Sequence, residues 1–145
     1  MLETFYKILK HELQLLDKLI NLAENQQESL VKYQHSRLFE IASAQELLMK
    51  QMRLAEENRI SFMIKWLNIQ RKDASEIKLS NLEKAIPAAD LNVFHQLQDA
   101  LKKSIEKLNF LNTLNRVLAN RARYSVQQII SIFTNGNNHV CNVKV

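Results

Sequence analysis

The chain has 145 residues, the length of one domain, and 46% of them are apolar, enough for a core. It holds one glycine and one proline, where average usage gives about ten and about seven. That scarcity excludes folds built on several glycine turns, such as hairpin sheets and phosphate-cradling loops, and leaves an all-α fold of few, long helices. The formal charge of +5 suits solubility first, and nucleic acid, an anionic surface or an acidic partner second.

The first helix is expected over residues 3–32. Its seam of Leu2, Phe5, Leu9, Leu16, Leu19, Ala23, Leu30 and Tyr33, widened by Leu13 and Ile20, steps by three, four and seven. A second seam starts at Leu38 and alternates three and four through Ile41, Gln45, Leu48, Met52, Ala55, Arg59, Phe62, Trp66 and Ile69. It is out of phase with the first, since seven steps from Leu30 lead to Arg37. Residues 31–37 are therefore expected to turn, with Ser36 as N-cap. The block "ISFMIKWLNI", residues 60–69, is dense in large apolar side chains. It is expected to close the bundle near the start of helix one, with Trp66 in the core.

The stretch "RKDASEIKLSNLEKAIPAAD" interrupts the pattern. Asp73 with Glu76, and Ser80 with Glu83, have capping-box spacing. Leu79, Leu82 and Ile86 suggest a short helix that Pro87 stops, and Asp90 can cap the next one. The last helix is expected over residues 91–133, with the seam Phe94, Leu97, Leu101, Ser104, Leu108, Leu111, Asn115, Leu118, Ala122, Ser125, Ile129 and Ile132. The resulting fold is an elongated antiparallel helical bundle, or coiled-coil hairpin, of three long helices plus a short connecting helix, crossing near about 20°. Residues 1–133 form the single domain and 134–145 a flexible tail.

Little in the sequence suggests catalysis. His11, His35, His95 and His139 are scattered. His139 and Cys141 are two ligands where a structural zinc site needs four. Glu56 and Glu57 read as partners of Arg53 and Arg59 in i,i+3 or i,i+4 pairs. There is no phosphate loop, GxGxxG or nucleophile elbow. No enzyme, cofactor or metal is expected. One cysteine allows no intrachain disulfide. The opening "MLETFYKILKHELQLL" lacks a signal-peptide core, and no run reaches membrane length, so a soluble cytosolic protein is expected. The bases Lys102, Lys103, Lys107, Arg116, Arg121 and Arg123 do not share one stripe, which speaks against a nucleic-acid helix.

The last helix carries two stripes. With Leu108 and Asn115 at heptad position a, Leu111 and Leu118 fall at d, and Asn112 at e beside them. Phe110, Val117 and Tyr124 all fall at c, and Leu114 and Arg121 at g. This second stripe lies about 130° around the helix from the first. It either packs against a further neighbour in the bundle or stays open to receive an amphipathic segment of a partner. Beyond Tyr124 the helix turns apolar nearly all round, with Val126, Ile129, Ile130, Ile132 and Phe133. The candidate partner-binding residues are Phe110, Leu114, Val117, Arg121, Tyr124, Ile130 and Phe133. Asn112 and Asn115, in and beside the seam, are candidates for fixing helix register.

The order of elements resembles the FlgN family of flagellar export chaperones over nearly the whole chain. The resemblance rests on "FYKILKHELQLLDKLINL" in the first helix and on "LLMKQMRLAEENRISFM", with an E-x-x-R element at Glu56 and Arg59, in the second. The short "LSNLEKAI" comes after them, and then "LNTLNRVL" with N-x-x-N at Asn112 and Asn115. Residues 133–136 loosely match how such chains finish. Family members often place Gly-Asp between the first two helices and Gly after the second, and this chain has neither. The resemblance implies a cytosolic bacterial chaperone without enzymatic activity. Such a protein binds the hook-associated proteins FlgK and FlgL, masks their aggregation-prone terminal helices and brings them to the flagellar type III export machinery. It also implies that the last helix takes part in client binding. Two other readings suit the pattern: a homodimeric coiled-coil adaptor, and a basic helical nucleic-acid binder.

Overall fold

The computed structural model describes residues 1–136, with side-chain surroundings to residue 134. Four α-helices occur in order: α1 (Leu2–Val31), α2 (His35–Leu67), α3 (Arg71–Glu76) and α4 (Leu91–Gly136), with two 3-10 turns, Leu79–Ala85 and Ala88–Asp90, between α3 and α4. The short helix expected around Leu79, Leu82 and Ile86 is the first of these turns. Helix α4 takes in residues 134–136, which the sequence assigns to the tail. The rest of that tail, with His139 and Cys141, lies outside the described residues.

The path is up, down, up. Helix α2 runs antiparallel to α1, with Arg59 against Glu12 and Gln45 against Gln26. Helix α4 runs parallel to α1, with Tyr6 bonded to Asp90, Ser104 to Asp17 and Asn115 to Ala23. Helix α1 is the central element. It packs along both α2 and α4, whose backbones scarcely meet.

The turn at 31–37 exists but is built differently from the expectation. Tyr33 takes φ 55°. Its N–H donates to Leu30 O at 3.4 Å and the Gln34 N–H donates to Ser29 O at 2.9 Å, a Schellman arrangement. Tyr33 thus does the work that glycine usually does, and at a cost, because a left-handed Cβ crowds its carbonyl. Gln34, not Ser36, is the N-cap of α2, and Ser36 lies inside the first turn. The two capping boxes are also absent. Gln70 and Lys78 precede their elements, so Asp73 and Ser80 fall inside them. Asn68, at φ 52°, ends α2, an amide residue being among those that tolerate this region.

The core is concentrated at the end where α1 begins. Phe5, Leu9, Met63, Leu82 and Phe94 are buried there, with Ala74 and Ile86 from the connecting segment as a lid. Phe5 stacks on Phe62 at 5.9 Å and tilts against Trp66 at 5.0 Å, so "ISFMIKWLNI" closes this end as its composition suggests. His95 and Glu83 pair beside the lid. Toward the other end the buried apolar set thins to Leu19, Ile20, Ala23, Ile41 and Leu111, with Leu108 against the cluster of Ile20, Ala23 and Leu111.

Candidate functional site: the open half of the last helix

Helix α1 has 30 residues and α4 has 46. Their register sets Asn115 beside Ala23 and Gln26, so α1 runs out at Val31 when α4 has reached about residue 120. The remaining residues of α4, some 17 at about 1.5 Å each, extend past the bundle by about 25 Å. The seam keeps its helical spacing through Ser125, Ile129 and Ile132, but these three are exposed. The expectation that they face the bundle fails because no helix lies alongside to receive them.

The second stripe is open. Phe110 is 67% exposed and Tyr124 63%, Val117 and Phe133 are exposed as well, and Leu114 and Ile130 are half-buried. Arg121 sits exposed among them. Of the two alternatives left by the spacing, packing within the bundle is the one that the fold does not use, since among the described residues α1 is the long helix that packs along α4. Val126 and Ile132 complete a helix end with apolar side chains in water on every side. Exposed apolar patches of this kind mark interaction surfaces. No Asp or Glu occurs between 107 and 136, whereas Lys107, Arg116, Arg121 and Arg123 do. Among the described residues, Lys107 is the one of these that is paired, with Glu24 at 2.9 Å.

The two asparagines singled out by the sequence part company. Asn115 is 3% exposed. Its Nδ2 donates to Ala23 O at 2.9 Å and to Gln26 Oε1 at 3.1 Å, and Gln26 Oε1 also accepts from Gln45 Nε2 at 3.1 Å. One amide cluster thus links α4, α1 and α2. Asn112 is exposed and lines the hollow above this cluster. It is not a buried register residue, because its heptad position faces the gap between α4 and α2 and not α1.

A second polar tie was not legible in the spacing. Arg59 reaches across to Glu12 at 3.0 Å, and both side chains are largely buried. Glu57 pairs with Arg71 at 2.6 Å. These long-range pairs replace the local pairing expected for Arg53, Glu56, Glu57 and Arg59. Burial pushes the Glu12 carboxyl above its ordinary value, the nearby Arg59 guanidinium opposes this, and Glu56 adds to it. A seam position occupied by arginine on one helix and by glutamate on its neighbour is the signal that a pairwise reading of the two seams would have used.

Fold and surface together define a class: a helical bundle with a closed end and a long last helix whose far half is apolar and exposed. Among the described residues no helix is long and apolar enough to cross a membrane. The chain matches the model of the FlgN protein family over residues 1–143 and belongs to that family, whose members are flagellar export chaperones and not enzymes. No curated protein and no solved structure matches it.

Proposed function

We propose that this chain is a cytosolic bacterial chaperone for hook-associated proteins of the FlgK and FlgL kind. It holds their aggregation-prone terminal helices on α4 and delivers them to the flagellar type III export apparatus. The observation that carries the reading is the unpartnered half of α4. Its stripe of Phe110, Leu114, Val117, Tyr124 and Phe133 and its apolar end, with Ile130 beside them, offer a client helix the contacts that it would otherwise seek in another client. The excess of bases after residue 106 steers acidic segments toward this surface, an attraction that weakens with salt.

Light scattering on a sizing column, with and without a hook-associated protein of the same genome, tests the reading. A complex is expected. Val117→Asp and Tyr124→Asp are expected to abolish it while helicity and melting temperature stay nearly unchanged. A stable homodimer that ignores those proteins would replace the chaperone with a coiled-coil adaptor.

A further inference from the structure

We propose that the trough between α2 and α4 is a second docking site, distinct from the exposed stripe. It takes one amphipathic helix of a partner protein, which completes a four-helix bundle. The occupant has an apolar face, neutral or acidic flanks and one hydrogen-bond donor toward its end. That the partner is a flagellar client rests on the function proposed above; the site itself does not.

The floor is the side of α1 left between its two neighbours: Leu9, Glu12, Leu16, Leu19 and Gln26, at helical steps, with Glu12 paired to Arg59. Met49 and Met52 of α2 form one wall, and Leu101, Ile105 and Leu108 of α4 the other. Met49 and Ile105 are each 47% exposed. Two hollows of about 590 Å³ and about 410 Å³ lie one after the other along these walls, the first from Gln98 and the second to Ala119 on α4. The span is about 32 Å at helical rise, the length of one helix of about 20 residues.

The two ends differ in chemistry, and the difference specifies the occupant. Near the closed end apolar side chains alternate with charges of both signs, Glu12 with Arg59, Glu56, Lys102 and Glu106. Near the open end the lining is amide: Gln26, Gln45, Asn112 and Asn115. The Asn115 Oδ1 is buried there and has no hydrogen-bond partner among the described residues. A buried acceptor without a donor is costly, and a donor from the occupant is what this end lacks. Arg116 stands beside it. A second copy of this chain, entering with its own α4, would bring Arg116, Arg121 and Arg123 and no acid to that place, a like-charge arrangement that disfavours it.

The test uses the full chain with Ile105→Glu and Met49→Glu in the trough and Tyr124→Asp on the stripe, each checked by circular dichroism. The probes are a hook-associated protein and a synthetic 20-residue helix with Leu at a and d, one Asn at a and Glu on its flanks. Calorimetry is expected to show at least about tenfold weaker binding of both probes to the two trough variants (1.4 kcal/mol per tenfold). Replacing the peptide's Asn by Leu, or its Glu by Lys, is expected to weaken binding as well. If the client binds the trough variants like the parent and is lost only with Tyr124→Asp, the trough inference falls and the chaperone reading stands. If the client never binds but the peptide does, and Ile105→Glu removes it, the trough stands and the chaperone reading falls. Binding of neither probe, or a homodimer that Ile105→Glu dissolves, overturns the trough inference.

Discussion

The two halves of α4 put the same spacing of apolar residues to opposite uses. Around Phe94, Leu97 and Leu101 the seam meets α1 and the connecting segment and is buried. Around Ser125, Ile129 and Ile132 it meets no other helix among the described residues and stays in water. Periodicity fixes which face of a helix is apolar. Whether that face is core or docking surface depends on where the neighbouring helix stops, here Val31. One end of the molecule is thus closed core and the other an exposed apolar helix, and local stability should fall along α4 from first residue to last.

Substitutions at the two ends should separate them. The largest effect is expected from Phe5→Ala, because Phe5 is fully buried among Phe62, Trp66 and Phe94. A loss of about 3–5 kcal/mol is expected in denaturant unfolding. Leu111→Ala should cost less, toward the lower end of about 2–5 kcal/mol, since it sits in the small cluster with Ile20, Ala23 and the partly buried Leu108. Equal losses at both sites would mean that the open end is as well packed as the closed one.

Tyr33→Gly should be a small gain of about 1 kcal/mol, read as melting temperature, by relieving the left-handed residue at the α1–α2 turn. A loss would show that the Tyr33 side chain contributes more than its backbone costs.

The smallest effect is a pH dependence. The Glu12 carboxyl is raised above 4.5 by burial despite Arg59. As pH falls through that raised value toward 4.5, the native state takes up a proton before the unfolded state does, so this group adds stability. Glu12→Gln cannot take up the proton. The parent should therefore gain on Glu12→Gln in melting temperature as the solution is acidified from neutral pH. A gap that moves the other way would mean that attraction to Arg59 outweighs burial.

Much of the architecture was legible in the residues. The three-and-four spacing found the long helices and most of the buried positions, and the phase slip between Leu30 and Leu38 found the turn without a glycine to mark it. The cap at Ser36 was misplaced, because the chain turns through the backbone conformation of Tyr33, which no side-chain pattern announces. Asn115 was legible as a polar residue in an apolar seam. Its partners Ala23 and Gln26, and the link through Gln26 to Gln45, were not, because they depend on the register of three helices. The trough was equally hidden. Its residues are ordinary seam positions, and they line a gap only because α2 and α4 sit on opposite flanks of α1.

The central claim is that α4 beyond residue 116 is an open client surface while the Phe5 end is closed core. Amide hydrogen exchange along the full chain, alone and with a hook-associated protein, tests it most directly. Slow exchange is expected around Phe5, Met63 and Phe94 in both states. Fast exchange is expected over residues 117–134 in the chain alone, with marked slowing there on addition of the client. Residues 117–134 as protected alone as the Phe5 end, or unchanged by a client that binds, would contradict it.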